Sequence, residues 1–175
     1  LANSEEIIMY KNTILTKLIN DKDVCQLILN RTISDMTDSD MQSEVKKYIR
    51  KYWYMPYTAE DEGTYITFDI GGTAYGQGTI NKKNMLGLYV FTHHKLMECE
   101  FSPIGTTPIE YKVGTRVDIL NAFIQKLLNG SLDFGKGVLK LMKDPPKPIN
   151  NVYYGRELLF EVPEWSDDCE NDGGI

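Results

Sequence analysis

Apolar residues at the start of the chain recur at helical spacing. Ile7, Ile8, Ile14, Leu15 and Leu18 predict a helix over residues 4–19. Ser4 serves as its N-cap, and Glu5 and Glu6 suit the positive end of its dipole. Asn20-Asp21 stops it, and a short helix follows over 23–30 with Val24, Leu27 and Ile28 on one side. The polar stretch 32–40 is rich in capping residues. A third helix is predicted over 39–53, with Val45, Tyr48, Ile49 and Tyr52 opposite Lys46, Lys47, Arg50 and Lys51; Met55-Pro56 ends it.

The period then drops from about 3.6 to 2. Ile66, Phe68 and Ile70 alternate with Tyr65, Thr67 and Asp69, which predicts a half-buried strand over 64–70. The stretch GGTAYGQGTINKKN reads as a loop or an open hairpin, and Met85–Thr92 as a second strand. Leu96–Phe101 extends that strand or pairs beside it, and Pro103–Gly114 connects to the clearest helix of the chain. There Thr115 and Asp118 resemble a capping box. Ile119, Leu120, Phe123, Ile124, Leu127 and Leu128 form the stripe, and Gly130 stands at the C-terminal cap. Val138–Met142 and Val152–Val162 read as two closing strands around the stiff, polar DPPKPINN. The order ααα-ββ-α-ββ predicts one α+β domain: a mostly antiparallel sheet of about four strands, one long helix packed across it, and N-terminal helices. Its expected divisions are a helical lead-in over 1–58, an α+β core over 59–165 and an acidic tail over 166–175.

A length of 175 residues suits a single domain, and 42% apolar and 25% charged residues are ordinary for a globular chain. No apolar run approaches the ~18 residues of a membrane span, and no basic-then-apolar leader opens the sequence. Cys25, Cys99 and Cys169 lie far apart with no CxxC pair, so a reducing compartment is expected. Charge changes the picture at one end. Of a net charge of −6, all is contributed by residues 161–175, with Glu161, Glu164, Asp167, Asp168, Glu170 and Asp172 and no Lys or Arg. The remaining body is neutral, which gives no general drive toward phosphate backbones. The segment SDDCENDGGI is too polar to form a core of its own.

Three patterns invite chemistry. Phe68-Asp69-Ile70-Gly71-Gly72-Thr73 resembles the phosphate-binding hairpin of actin-like sugar kinases, where an Asp handles magnesium and glycines admit phosphate. The plain alternative is a pair of glycines turning the chain between strands. His93-His94, with Cys99 nearby, is the one histidine cluster. On a continuous strand the two rings would point to opposite faces, and no Cys/His spacing supplies four zinc ligands. Lys46, Lys47, Arg50 and Lys51 interleaved with Tyr48, Tyr52 and Trp53 suit single-stranded nucleic acid, a protein contact, or simply a solvated helix face.

A strand (TYITFDI), a Gly/Asn-rich insert, a strand ending in His (LYVFTHH), an Arg-led helix (Thr115-Arg116-Val117-Asp118-Ile119-Leu120), a Gly-Lys-Gly strand start and the closing strand Tyr153-Tyr154-Gly155-Arg156-Glu157 follow in that order. This succession, over roughly residues 60–165, resembles the neck proteins of tailed bacteriophages, of the tail-terminator and head–tail joining type. The resemblance implies a structural virion protein without a cofactor, not an enzyme. Such proteins form a ring, commonly a hexamer, that ends the tail and binds the head connector or stopper and the tail tube. DNA passes through without sequence-specific contact, no membrane is involved, and assembly takes place in the host cytoplasm. The candidate interface residues are then Arg116, Tyr154, Arg156, Trp165, Asp167, Asp168, Tyr52 and Trp53. Arg116 and Arg156 are expected to form structural or interface ion pairs. The three-helix lead-in and the acidic tail depart from the pattern. The alternatives are a phage-encoded nucleic-acid-binding accessory protein using the basic helix, and a phosphate-binding enzyme using Asp69, Gly71 and Gly72.

Overall fold

The amphipathic start of the chain folds as its spacing requires. A computed structural model describes residues 4–56, 61–75, 81–104, 113–134 and 137–163. Helix α1 spans Ser4–Asn20 and buries Tyr10, Ile14, Leu18 and Ile19. Asp21 accepts the Val24 N–H at 3.0 Å and caps α2, Lys22–Leu29. Asn30 ends α2 in the left-handed region at φ 52°, which Asn tolerates better than most residues. Thr37 caps α3, Asp38–Val45, by accepting from Asp40 N–H.

Helix α3 stops well short of the predicted residue 53. Lys47 and Tyr48 donate back three residues, to Glu44 and Val45, and the chain then straightens. Ile49–Arg50 becomes strand β1, parallel to Ile66–Thr67. The run YIRKYWY is aromatic and β-branched, so a strand partner outweighs a helical pattern of only moderate propensity.

Strand β2, Thr64–Tyr75, and strand β3, Asn81–His93, form one long antiparallel hairpin, in register from Thr64 opposite Thr92 to Tyr75 opposite Asn81. The open-hairpin reading of the Gly-rich stretch therefore holds, and Gly71 and Gly72 are strand residues rather than a loop. After a 3₁₀ turn at His94–Leu96, β4 (Glu98–Glu100) pairs with β5 (Val113–Thr115) in a separate small sheet. Thr115 then caps α4, Arg116–Leu128, through Asp118 N–H. Gly130, at φ +82°, lies just beyond the C-cap Asn129. Strands β6 (Lys140–Lys143) and β7 (Pro146–Pro148) share the outer edge of β8 (Tyr153–Val162), which itself lies along β3. Prolines fit there because an edge strand can spare its N–H groups.

The α+β class matches the expectation, with two corrections. The main sheet has six strands in the order β1-β2-β3-β8-β6, with β7 also on β8, and β1 makes it mixed. The helix across the sheet is not the one long helix, because α1 is longer than α4. On one face Ile66, Phe68, Leu86, Leu88, Leu158 and Phe160 share a single core with residues of all four helices. The other face carries a smaller cluster of Tyr65, Phe91 and Tyr153, flanked by Tyr48, Tyr54 and Tyr89. Farther along, that face opens: Asp69 and Gly71 are exposed, and Met85 and Leu159 are half-buried.

Candidate functional site

The early end of α3 gathers unbalanced charge at the β1 edge. Lys46, Lys47 and Lys51 are exposed and Arg50 is half-buried. Arg50 donates to the carbonyls of Lys46 (3.0 Å) and Ile49 (3.3 Å), with its guanidinium 5.2 Å from the Tyr54 ring centre. Lys51 donates to Asn12 Oδ1 at 2.7 Å. Among the described residues no carboxylate lies within ion-pair distance of these four cations. The chain then crosses the open face of the sheet. Tyr52 and Trp53 remain 55% and 49% exposed, although Trp53 meets Tyr89 edge-on at 4.8 Å. Tyr89 donates to Glu157 Oε1 at 2.8 Å, and Lys147 lies 5.4 Å over its ring. Burial, and then the Glu157 bond, push the Tyr89 phenol up to about 12. The segment thus presents four cations around the β1 edge and two exposed aromatics as the chain passes onto the neighbouring sheet face.

The two arginines singled out by sequence have different settings. Arg116, 6% exposed, donates through Nε to Leu96 O (2.8 Å), through Nη1 to Leu27 O (3.0 Å) and through Nη2 to Asn30 Oδ1. Among the described residues it has no carboxylate partner, so the expected ion pair is replaced by carbonyl bonds. The reason is position: at the first turn of α4 its side chain reaches the C-terminal end of α2, where carbonyls lack helical partners. Burial lowers its pKa. Arg156, on the helix side of β8, does form ion pairs, at 2.5 Å with Asp118 Oδ1 and 3.3 Å with Asp144 Oδ1, and it donates to Asp144 O at 3.1 Å. Its hydrogen bond to Asp118 raises its pKa. Tyr154 is half-buried opposite Thr92. Trp165, Asp167 and Asp168 lie outside the described residues.

The remaining candidates are not brought together. Asp69 pairs with Lys11 at 2.5 Å and accepts its neighbour Ile70 N–H at 2.8 Å, while Gly71 has open space above its Cα. His93 and His94 stack at 4.5 Å, which corrects the expectation of opposite faces: β3 ends at His93 and the 3₁₀ turn breaks the alternation. Among the described residues, no group of three or more His, Cys, Asp and Glu is placed to hold a metal ion. Cys25 and Cys99 are free thiols, and burial pushes Cys25 up to about 12.

Sequence reasoning missed two features. One is the network around Asp144, whose carboxylate accepts Asn121 Nδ2 (2.8 Å) and Gln125 Nε2 (2.6 Å) besides Arg156, tying α4 to the break between β6 and β7. The other is the aromatic cluster on the second sheet face. Its available signal was tyrosine at the nominally outward strand positions 65, 89 and 153.

No helix among the described residues is long and apolar enough to cross a membrane. No curated protein matches the sequence. A family model described as YomW matches residues 12–162, from within α1 to the end of β8. Its name is of the phage-derived SPbeta type, which suggests a phage protein. With most of its length matched, the chain belongs to the YomW family.

Proposed function

We propose that this protein is a structural component of a tailed-phage virion, a ring in the neck that ends the tail and joins it to the head connector. One observation carries the reading: the phage-related family match covers the same core whose Arg-led helix and Tyr-Gly-Arg closing strand resemble neck proteins. The fold suits such a part. Its sheet keeps a half-open face and a β2 edge that pairs with β1 at only two positions, both surfaces on which copies can meet. Aromatic and arginine side chains favour interface centres. The proposed role needs neither a cofactor nor a reaction, and its partners are further copies, the connector or stopper, and the tail tube.

Immunogold imaging of virions tests it. Label confined to the head–tail junction is the expected result, and deletion of the gene should leave heads and tails unjoined. Particles without label at the neck would discard the proposal.

A further inference from the structure

We infer that the acidic segment 164–175 of one copy seats on residues 46–53 at the β1 edge of a second copy. The segment contains Glu164, Asp167, Asp168, Glu170, Asp172 and Trp165 and no lysine or arginine. The receiving edge offers Lys46, Lys47, Arg50 and Lys51, none with a carboxylate in reach among the described residues, beside exposed Tyr52 and Trp53. Helix lysines near that edge are balanced locally: Lys11 by Asp69, Lys17 by Asp133 and Lys22 by Asp38. An acidic run with Trp165 and a basic run with Tyr52 and Trp53, opposite in sign within one chain, are complementary.

Their placement favours contact between copies. Residues 164–175 follow β8, three strands across the sheet from β1, or about 14 Å at ordinary strand spacing. Val162 lies level with Asn84 on β3, whereas Ile49, through its partner Ile66, lies level with Val90, about 20 Å farther along the strands. The chain therefore leaves β8 at the end of the sheet opposite to β1, three strands away. A contact between such sites is head-to-tail, and repeated from copy to copy it closes into a ring or runs on as a filament. Asp167 and Asp168 stand five and six residues beyond Val162, a backbone reach of about 20 Å at most, short of the roughly 24 Å to Ile49 of the same copy, so a neighbour's edge is the one they meet. The neutral balance of residues 1–160 gives a nucleic acid no general attraction to this edge.

The inference supplies a contact for the ring proposed above, but it is testable away from the virion. Full-length protein is studied by sedimentation equilibrium up to about 1 mM chain. Wild type should self-associate, and less so as salt is raised. The variants K46E/K47E/K51E and D167K/D168K/E170K should each weaken association about tenfold or more. An equimolar mixture should restore it, because each segment then meets an edge of opposite charge. K140E/K143E, on β6, should associate as wild type. Circular dichroism melts confirm that each variant folds. A monomeric wild type overturns the inference, and so does a mixture of folded variants that fails to associate. Restoration only when both sets of changes share one chain would make the contact internal and equally overturn it. If K46E/K47E/K51E loses affinity for a DNA oligonucleotide while associating normally, the edge is a nucleic-acid site instead. Association through this contact with no neck label on virions would keep the inference and lose the neck reading, and the reverse result would do the opposite.

Discussion

Arg116 holds three pieces of the chain with one planar group: the end of α2, the 3₁₀ turn and the start of α4. Lysine keeps the charge but cannot present the same fork of donors. Arg116→Lys should therefore destabilise the fold by about 2–4 kcal/mol, through buried carbonyls left without donors, read as a lower urea midpoint with an unchanged slope. Gly155 is constrained by space. A Cβ there would stand 2.5 Å from Val90 O and 2.8 Å from Phe91 Cβ. Gly155→Ala should cost about 1–3 kcal/mol by overpacking, and a midpoint within error of wild type would show that β3 and β8 yield at that point. Both residues were visible in the sequence as parts of a pattern. Their reasons were not, because Arg116 binds partners 86 and 89 positions away and Gly155 is defined by a neighbouring strand.

Among the elements, those with their own start and stop signals were legible: α1 and α2 by spacing, and α4 by Thr115 and the stripe behind it. Removing that cap in Thr115→Ala should cost about 1 kcal/mol, since Asp118 N–H loses its acceptor. Where local pattern and tertiary pairing conflict, pairing wins. Tyr48-Ile49-Arg50 satisfies a helical stripe as well as a strand, and only the presence of β2 alongside decides. Likewise the glycines at 71 and 72 signal a turn, yet the hairpin carries its pairing on past them to Tyr75. That difference bears on the site, since a helix through residue 53 would have spread the four cations along a solvated face. The break between β6 and β7 is joined to α4 by Asp144. Asp144→Ala removes the acceptor for Asn121, Gln125 and Arg156 together. It should cost about 2 kcal/mol in the same denaturation experiment, more than an exposed ion pair is worth.

At the scale of the whole molecule, the sheet has two differently buried faces, and the second is made largely of phenols. Burial raises the pKa of Tyr65, Tyr89 and Tyr153 on that face, and of Tyr10 in the main core, above the usual 10.0. It also raises the Cys25 thiol above its usual 9.0. The direction is the same for all five, so their effects on stability add. A group whose folded pKa lies above its unfolded value binds its proton more tightly in the native state. The stability it contributes is whole below the unfolded pKa and is lost as pH rises through the folded one. The urea midpoint should therefore be insensitive to these groups below pH 9. It should fall steeply between pH 9 for the thiol, 10 for the phenols, and the region of about 12 reached by Cys25, Tyr10 and Tyr89. Phenolate absorbance gives an independent reading of the same event. The buried tyrosines should ionise together with the loss of near-ultraviolet dichroism, because deprotonating them requires the sheet face to open. Absorbance that rises smoothly to completion while the dichroism is retained would mean that the aromatic face is open to water in the folded protein. In that case the half-open surface proposed as a meeting place for copies would extend over the whole outer side of the sheet.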